Sequence, residues 1–90
     1  RMDPEGVIAM LNEYMSWVSD IIEAHRGVID KYVGDAVMAL YGAPLSLEHA
    51  ALQAIVTALL VMERLVVWNR EREARGKPII EIGIGIHQGP

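Results

Sequence analysis

Apolar residues recur at three- and four-residue steps over the first 25 positions of the chain. The residues on one side of the helical projection include Val7, Met10, Tyr14 and Val18, and acidic residues take the other side. This period predicts an amphipathic helix over residues 3–25. Asp3 followed by Pro4 predicts its first turn, with Asp3 as N-cap, and Gly27 predicts a left-handed stop.

Two short runs rich in β-branched and aromatic residues follow, at 28–33 and 36–41. Only Gly34 and Asp35 separate the two runs. A Gly-Asp pair between such runs predicts a β-hairpin with a type II′ turn. The two-residue period of a strand predicts that three residues share one face of this hairpin, namely Ile29, Lys31 and Val33.

A second helix is predicted over residues 46–75, with Ser46 as its N-cap and Gly76 and Pro78 beyond its end. Its first half is apolar nearly all round, which predicts that other parts of the protein cover it on more than one side. The uncharged stretch, residues 50–62, is shorter than the roughly 20 residues that a bilayer requires. We therefore expect no membrane contact by this segment.

Residues 80–87 alternate isoleucine with polar residues or glycine, which predicts a half-buried strand. Gly83 and Gly85 leave its second face open to a ligand, another backbone or a helix. The order helix, strand, strand, helix, strand matches a ferredoxin-like βαββαβ unit from its second element onward. The predicted fold is therefore α+β, with two helices on one face of a sheet. We therefore expect residues 1–90 to be part of one domain, whose first strand and C-terminal part lie outside these positions.

The composition narrows the possible functions. Apolar residues make up 52% of the chain before its 8 glycines are counted, so we expect a partner to cover part of its surface. A net charge of −4 gives no general attraction to nucleic acid or to an anionic membrane. The chain has no cysteine, which excludes disulfides, thiolate zinc sites and a cysteine nucleophile, and fits a reducing compartment.

Asp35 and Lys31 are the candidate functional residues. At the apex of a hairpin, Asp35 is clear of the core and could bind a hard cation such as Mg²⁺. Aspartate is also a good turn residue, and the pattern alone favours that simpler interpretation. Lys31 lies about 13 Å away along an extended strand, so the two side chains cannot easily grip one small group. They could hold opposite ends of a nucleotide or belong to different sites of a dimer, and Lys31 could also be an ordinary surface lysine.

Three segments together resemble the catalytic domain of class III nucleotidyl cyclases, the adenylate and guanylate cyclases. They are KYVGDAVMALYGAP at 31–44, NEY at 12–14 and IGIGIHQGP at 82–90. The resemblance covers nearly the whole chain, and its K-x-x-G-D-x-x-M-A-x-x-G-x-P run followed by G-I-G-I-H-x-G is specific. It implies conversion of ATP or GTP to the 3′,5′-cyclic monophosphate and pyrophosphate. Two divalent ions, Mg²⁺ or Mn²⁺, would be held by two aspartates in each active site.

The resemblance also implies a role for three residues. Asp35 matches the second metal-binding, catalytic aspartate, Lys31 matches the lysine that selects the base, and Gly34 would shape the turn at the substrate site. Lys31 favours ATP, because adenine N1 accepts a hydrogen bond whereas guanine presents donors there. Cyclase sites form between two catalytic domains, so Lys31 and Asp35 of one chain would serve different sites. We expect a cytoplasmic homodimer that binds ATP and no nucleic acid, with any membrane attachment through another domain.

Several family residues have no match in these 90 positions. The first metal-binding aspartate, the second base-selecting residue and the asparagine and arginine of the transition state are all absent. We therefore expect the complete domain to be an adenylate cyclase and the 90 residues alone to be inactive. The alternative is a catalytically degenerate cyclase-like domain for dimerisation or regulation. A cyclase that makes cyclic dinucleotides is less favoured, because VGDAV at 33–37 lacks the G-G-[DE]-[DE]-F hairpin.

Overall fold

The computed structural model describes residues 4–43 and 47–88 of the chain. In chain order, its elements are α1 (Pro4–Ala24), β1 (Val28–Val33), β2 (Ala36–Leu40) and α2 (Ala50–Ala74). These four elements follow the predicted order, and the fold is α+β. The predicted N-caps, Asp3 and Ser46, lie outside the described residues. The prediction that the second helix starts at Ser46 is wrong, because residues 47–49 are not helical and the N-cap is His49, with φ 59° and no side-chain cap hydrogen bond.

Helix α1 ends in a Schellman motif whose left-handed residue is Arg26, with φ 66°. The N–H of Gly27 donates to the carbonyl of Ile22 at 2.9 Å, and the N–H of Arg26 donates to that of Glu23 at 3.2 Å. The prediction that Gly27 is the left-handed stop is therefore wrong. Gly27 is required for space instead, because a Cβ there would lie 2.5 Å from Cγ2 of Ile22 and 2.7 Å from the ring of Tyr41.

Strands β1 and β2 form an antiparallel hairpin. Its last pair is Val33 with Ala36, so Gly34 and Asp35 are the two loop residues. Gly34 has φ 60°, whereas Asp35 does not have a positive φ. A positive φ at the first loop position alone is what the predicted type II′ turn requires. One face of the hairpin packs against α1.

The hairpin register shifts at Asp30. Ile29 pairs with Ala39, and the next pair is Lys31 with Met38, so Asp30 has no partner in β2. Ladder partners share a face, so Ile29 lies on the inner face with Ala39, whereas Lys31 lies on the outer face with Met38. The prediction that Ile29 and Lys31 share a face is therefore wrong. The prediction fails because of a β-bulge, which adds one residue to a strand and breaks the two-residue period.

The core lies where α1 meets α2 and the inner face of the hairpin. Its central buried residues are Val18, Ile22 and Val61. Half-buried residues from the hairpin complete it, namely Ile29, Val37, Ala39 and Tyr41. The Tyr41 hydroxyl donates to Oγ1 of Thr57 at 2.7 Å, and this hydroxyl donates to the carbonyl of Gln53 at 2.7 Å. This relay links the residue after β2 to helix α2.

Within the described residues, helix α2 has one buried face and one exposed apolar face. The buried face carries Thr57, Val61, Leu65, Trp68 and Arg72. The opposite face exposes apolar side chains at three- and four-residue steps, at Leu52, Ile55, Leu59, Met62 and Val66. By length and composition alone α2 could cross a membrane, a test that core helices of soluble proteins also pass. Helix α2 ends before Gly76, as predicted, and Gly76 has a left-handed φ of 71°.

The predicted strand over residues 80–87 is not formed, since residues 77–88 have no regular secondary structure. Asn69 holds the start of this segment through hydrogen bonds with both the N–H (3.1 Å) and the carbonyl (2.8 Å) of Ile80. An open cavity of about 1190 Å³ is lined by β2, this segment, α1 and α2. A residue in a packed sheet occupies roughly 160 Å³, from the spacings of residues, strands and layers. The cavity therefore has room for one further strand, and without such a neighbour residues 80–87 have no ladder to join.

Candidate active site

The hairpin loop presents Asp35 to solvent at its second position. The preceding Gly34 lies in open space, because no heavy atom would come within 4 Å of a Cβ placed there. Asp35 also lines the cavity beside β2. Among the described residues its carboxylate has no hydrogen bond or ion pair, so its oxygens are available to a cation. The sequence prediction of an exposed carboxylate at the hairpin apex is confirmed.

Tyr14 of α1 lines the same cavity, and the charge of Asp35 affects the pKa of its hydroxyl. Burial raises the pKa of the Tyr14 hydroxyl above its ordinary value, and the negative charge of Asp35 raises that pKa further. The Tyr14 ring is fixed by an edge contact with Trp17, with centroids 5.3 Å apart, and by stacking on Trp68 at 6.1 Å. The charge of Asp35 therefore reaches the space between the hairpin and α1.

Lys31 is exposed on the outer face of β1, away from the helices. Its surroundings are apolar and uncovered, with exposed fractions of 56% for Val33, 47% for Met38 and 39% for Leu40. An ammonium group on such a surface can donate hydrogen bonds to a flat ligand or to a partner that covers the surface. Lys31 does not line the cavity that Asp35 and Tyr14 share.

The hairpin therefore brings Gly34 and Asp35 together and keeps Lys31 apart from them. Residues 4–43 and 47–88 hold no cluster of three or more histidine, aspartate or glutamate side chains that could bind a metal ion. A hard cation such as Mg²⁺ accepts one or two carboxylates together with substrate phosphates and water. Asp35 can supply part of such a coordination shell, and the other ligands would have to come from elsewhere.

Two features of this site were not predicted from the sequence. Tyr14 carries a helical apolar signal, and nothing in its spacing connects it with Asp35 twenty-one positions later. Met38 lies across the ladder from Lys31 on the outer face, a neighbour that the strand period did not indicate. A hydrophobic pattern cannot locate a bulge, so the error about Ile29 and Lys31 hid the true neighbours of Lys31.

Comparison with known proteins identifies the family. Residues 1–90 match the profile of the adenylate and guanylate cyclase catalytic domain. Adenylate cyclase 1 of Rhizobium meliloti (strain 1021) is 41% identical over 86 residues, which cover 96% of this chain and 13% of that protein. The adenylate cyclase of Anabaena cylindrica is 38% identical over 92 residues, covering 98% of this chain and 17% of its own length. The chain belongs to the adenylate and guanylate cyclase catalytic domain family, as the sequence motifs predicted.

A solved structure supports the fold. The crystal structure of the guanylyl cyclase Cya2 aligns with this chain with a TM-score of 0.78 and 32% sequence identity. The alignment covers 87% of this chain and 40% of the Cya2 chain. The 90 residues therefore correspond to less than half of that solved chain and to less than a fifth of the two adenylate cyclases.

Proposed function

We propose that this chain is part of an adenylate cyclase, which converts ATP to 3′,5′-cyclic AMP and pyrophosphate at a site shared by two catalytic domains. The proposal rests on one observation, namely that the carboxylate and the ammonium group of this hairpin lie on different sides of it. Asp35 lies at the tip and lines the inner cavity, and Lys31 lies on the outer face. One chain therefore offers a metal ligand to one site and a base contact to another.

Asp35 fits a metal-binding role. Its carboxylate is exposed, has no competing partner among the described residues, and follows a glycine surrounded by open space. Carboxylate oxygen is the donor that Mg²⁺ and Mn²⁺ prefer. When bound, two such ions would supply activation of the ribose 3′-hydroxyl and neutralisation of phosphate charge. Asp35 would hold these ions together with a second aspartate of the same complete domain, which these 90 residues do not include.

Lys31 fits selection of adenine. A lysine ammonium can only donate hydrogen bonds, and adenine N1 can accept one, whereas guanine N1 carries a hydrogen. The exposed apolar side chains of Val33 and Met38 beside Lys31 can line a flat purine or a partner surface. Lys31 therefore supports ATP as the substrate, although the Cya2 structure is named a guanylyl cyclase.

The partner that we propose is a second copy of the same catalytic domain. Each copy would contribute Asp35 to one site and Lys31 to the other, so a two-fold dimer would contain two equivalent sites. The exposed apolar residues of the outer hairpin face would then be covered. The 90 residues by themselves would lack the further metal and phosphate ligands and would be inactive.

The test uses the complete catalytic domain with ATP or GTP and Mg²⁺ or Mn²⁺, and measures both cyclic nucleotides. Asp35→Asn should lower cyclic AMP formation by about a hundredfold or more, because a metal-bound group stabilises several kcal/mol of transition-state charge. Asp30→Asn is the matched control, since it removes an exposed carboxylate from the same hairpin. Lys31→Glu should shift preference from ATP toward GTP. Full activity of the Asp35 variant would refute the metal role, and an inactive wild-type domain would favour the degenerate regulatory alternative.

A mixing experiment tests the shared site. Alone, Asp35→Asn domains should be nearly inactive and Lys31→Ala domains should turn over low concentrations of ATP inefficiently, but a heterodimer of the two contains one site with both wild-type residues. Random exchange of equal amounts should restore about a quarter of the wild-type sites, because half of the dimers are mixed and each has one intact site. A mixture no more active than its components would show that Lys31 and Asp35 do not act in this shared arrangement.

A further inference from the structure

Strand β1 contains one residue more than the ladder uses. The ladder passes from the pair Ile29 with Ala39 directly to the pair Lys31 with Met38, and Asp30 is left over. Asp30 is exposed and has no side-chain hydrogen bond or ion pair among the described residues. Its carboxylate therefore does not explain its presence. What the extra backbone unit adds is a local bend and twist of β1 immediately before Lys31.

A regular strand could not place both neighbours of Asp30 as they are found. With a strict two-residue period, Ile29 and Lys31 would point to the same side. Directing both inward would bury an ammonium without a partner, which is costly. Directing both outward would remove the partly buried Ile29 from the core and expose its apolar side chain to water. The bulge permits Ile29 to pack on the core while Lys31 leaves from the opposite face.

We propose that the bulge at Asp30 is a positioning element for Lys31. A bulge bends its strand, increases the local twist and is often found beside active sites, where it re-aims a side chain. Lys31 is the residue immediately after the bulge, so the bend sets the direction in which its long side chain leaves the sheet. This inference rests on the proposed role of Lys31 in binding the base, and Asp30 itself touches no substrate.

Deletion of Asp30 isolates this effect. The remaining strand can keep all five observed pairs, Val28 with Leu40, Ile29 with Ala39, Lys31 with Met38, Tyr32 with Val37 and Val33 with Ala36. The deletion thus leaves every side chain on its present face and removes only the bend. Asp30→Ala is the matched control, because it removes the carboxylate and keeps the extra backbone unit.

The experiment compares both variants in the complete catalytic domain and measures kcat and KM with ATP and with GTP. Deletion of Asp30 should lower the ratio of kcat/KM for ATP to kcat/KM for GTP by about tenfold or more, the worth of one charge-assisted hydrogen bond. The loss should fall mainly on KM for ATP, and Asp30→Ala should keep the wild-type ratio. A general loss of structure would instead lower activity with both nucleotides and leave their ratio unchanged.

Three results would overturn the inference. The first is a folded deletion variant with the wild-type ATP:GTP ratio while Lys31→Ala loses that ratio, which leaves the proposed function intact. The second is a wild-type ratio in Lys31→Ala itself, which removes the proposed role of Lys31 as well. The third requires no variant, and so applies even if the deletion prevents folding. It is an NMR ladder in the intact domain that pairs Asp30 with Ala39 and Ile29 with Leu40.

Discussion

Gly27→Ala should destabilise the domain through a steric clash between the end of α1 and the residue after β2. The new Cβ would lie 2.5 Å from Cγ2 of Ile22, which is 0.9 Å closer than the 3.4 Å at which ordinary contact begins. It would also lie 2.7 Å from the Tyr41 ring and 2.8 Å from its hydroxyl oxygen. Gly27 does not have a left-handed φ, so the cost of this substitution is steric and owes nothing to backbone strain.

The size of the destabilisation depends on which neighbouring groups the new Cβ displaces. Overpacking of a closely packed site by one carbon costs about 1–3 kcal/mol. Displacing the Tyr41 ring also breaks its hydrogen bond to Thr57, which contributes about 1 kcal/mol. We therefore expect Gly27→Ala to lower the free energy of unfolding by about 2–4 kcal/mol, a large share of the 5–15 kcal/mol typical of a domain.

The assay is urea unfolding of the complete catalytic domain, followed by tryptophan fluorescence. Gly34→Ala is the matched comparison, because Gly34 has φ 60° and no atom near its absent side chain. Gly34→Ala should lower the free energy of unfolding only through the backbone strain of alanine at the first position of a type II′ turn, about 1–3 kcal/mol. In a Tyr41→Ala background, Gly27→Ala should cost at least about 1 kcal/mol less than in the wild type. A Gly27→Ala domain within about 0.5 kcal/mol of the wild type, which is the range of neutral surface changes, would refute the steric argument.

Three further predictions concern groups around the core and the cavity. Tyr41→Phe should lower the free energy of unfolding by about 1 kcal/mol, because Thr57 loses a donor; denaturant midpoints check this. Asp35→Asn should lower the raised pKa of Tyr14 without restoring its ordinary value, because burial is the larger cause of the shift. A ¹³C-tyrosine NMR titration measures this pKa, and an unchanged pKa would contradict the influence of Asp35. The fold raises the pKa of Tyr14, so the neutral hydroxyl stabilises the domain fully below its unfolded pKa, near 10. This stabilisation is lost as the pH rises through the pKa of the folded state. Tyr14→Phe should therefore flatten the dependence of the free energy of unfolding on pH above about pH 10.

The helices and the hairpin were predictable from local sequence signals. Pro4 at a helix start, Gly76 at a helix end and the Gly34-Asp35 pair between two apolar runs each specify the backbone within a few residues. The structure confirms these signals because few tertiary contacts compete with them. The family was also predictable, since the spacing of Lys31, Gly34 and Asp35 with the isoleucine–glycine strand is specific.

Two predictions failed because tertiary packing overrode a local rule. Gly27 satisfies the usual signal for a left-handed stop, but Arg26 takes that conformation and Gly27 takes the position that the Tyr41 ring approaches. The alternation at Ile29 and Lys31 reads as a regular strand, but the core requires Ile29 on one side while Lys31 leaves from the other. Neither contact can be read from the sequence, because Tyr41 and Ala39 are distant in the chain.

The unformed strand at residues 80–87 has a different cause. Its alternation is as regular as any in the chain, yet a strand is stabilised by ladder hydrogen bonds and not by its own pattern. The neighbouring space, about 1190 Å³ against β2, is the size of one further strand. Without a neighbouring strand, Gly83 and Gly85 also lie in open space, and no atom would come within 4 Å of a Cβ placed at either residue. Their value therefore has to be judged in the complete domain, where a backbone beside them would use the room.

The uncovered apolar surfaces now have a common physical explanation. The cavity beside β2, the outer hairpin face around Lys31 and the exposed stripe of α2 are separate surfaces, and all three are rich in apolar side chains. A 90-residue unit has too little interior to bury 52% apolar residues, because small domains leave a large fraction of their surface in water. In the proposed enzyme, the rest of the domain would fill the cavity and the second copy would cover the hairpin face. Coverage of the hairpin face would then also create the base site, so that on this proposal dimer formation and selection of ATP depend on the same residues.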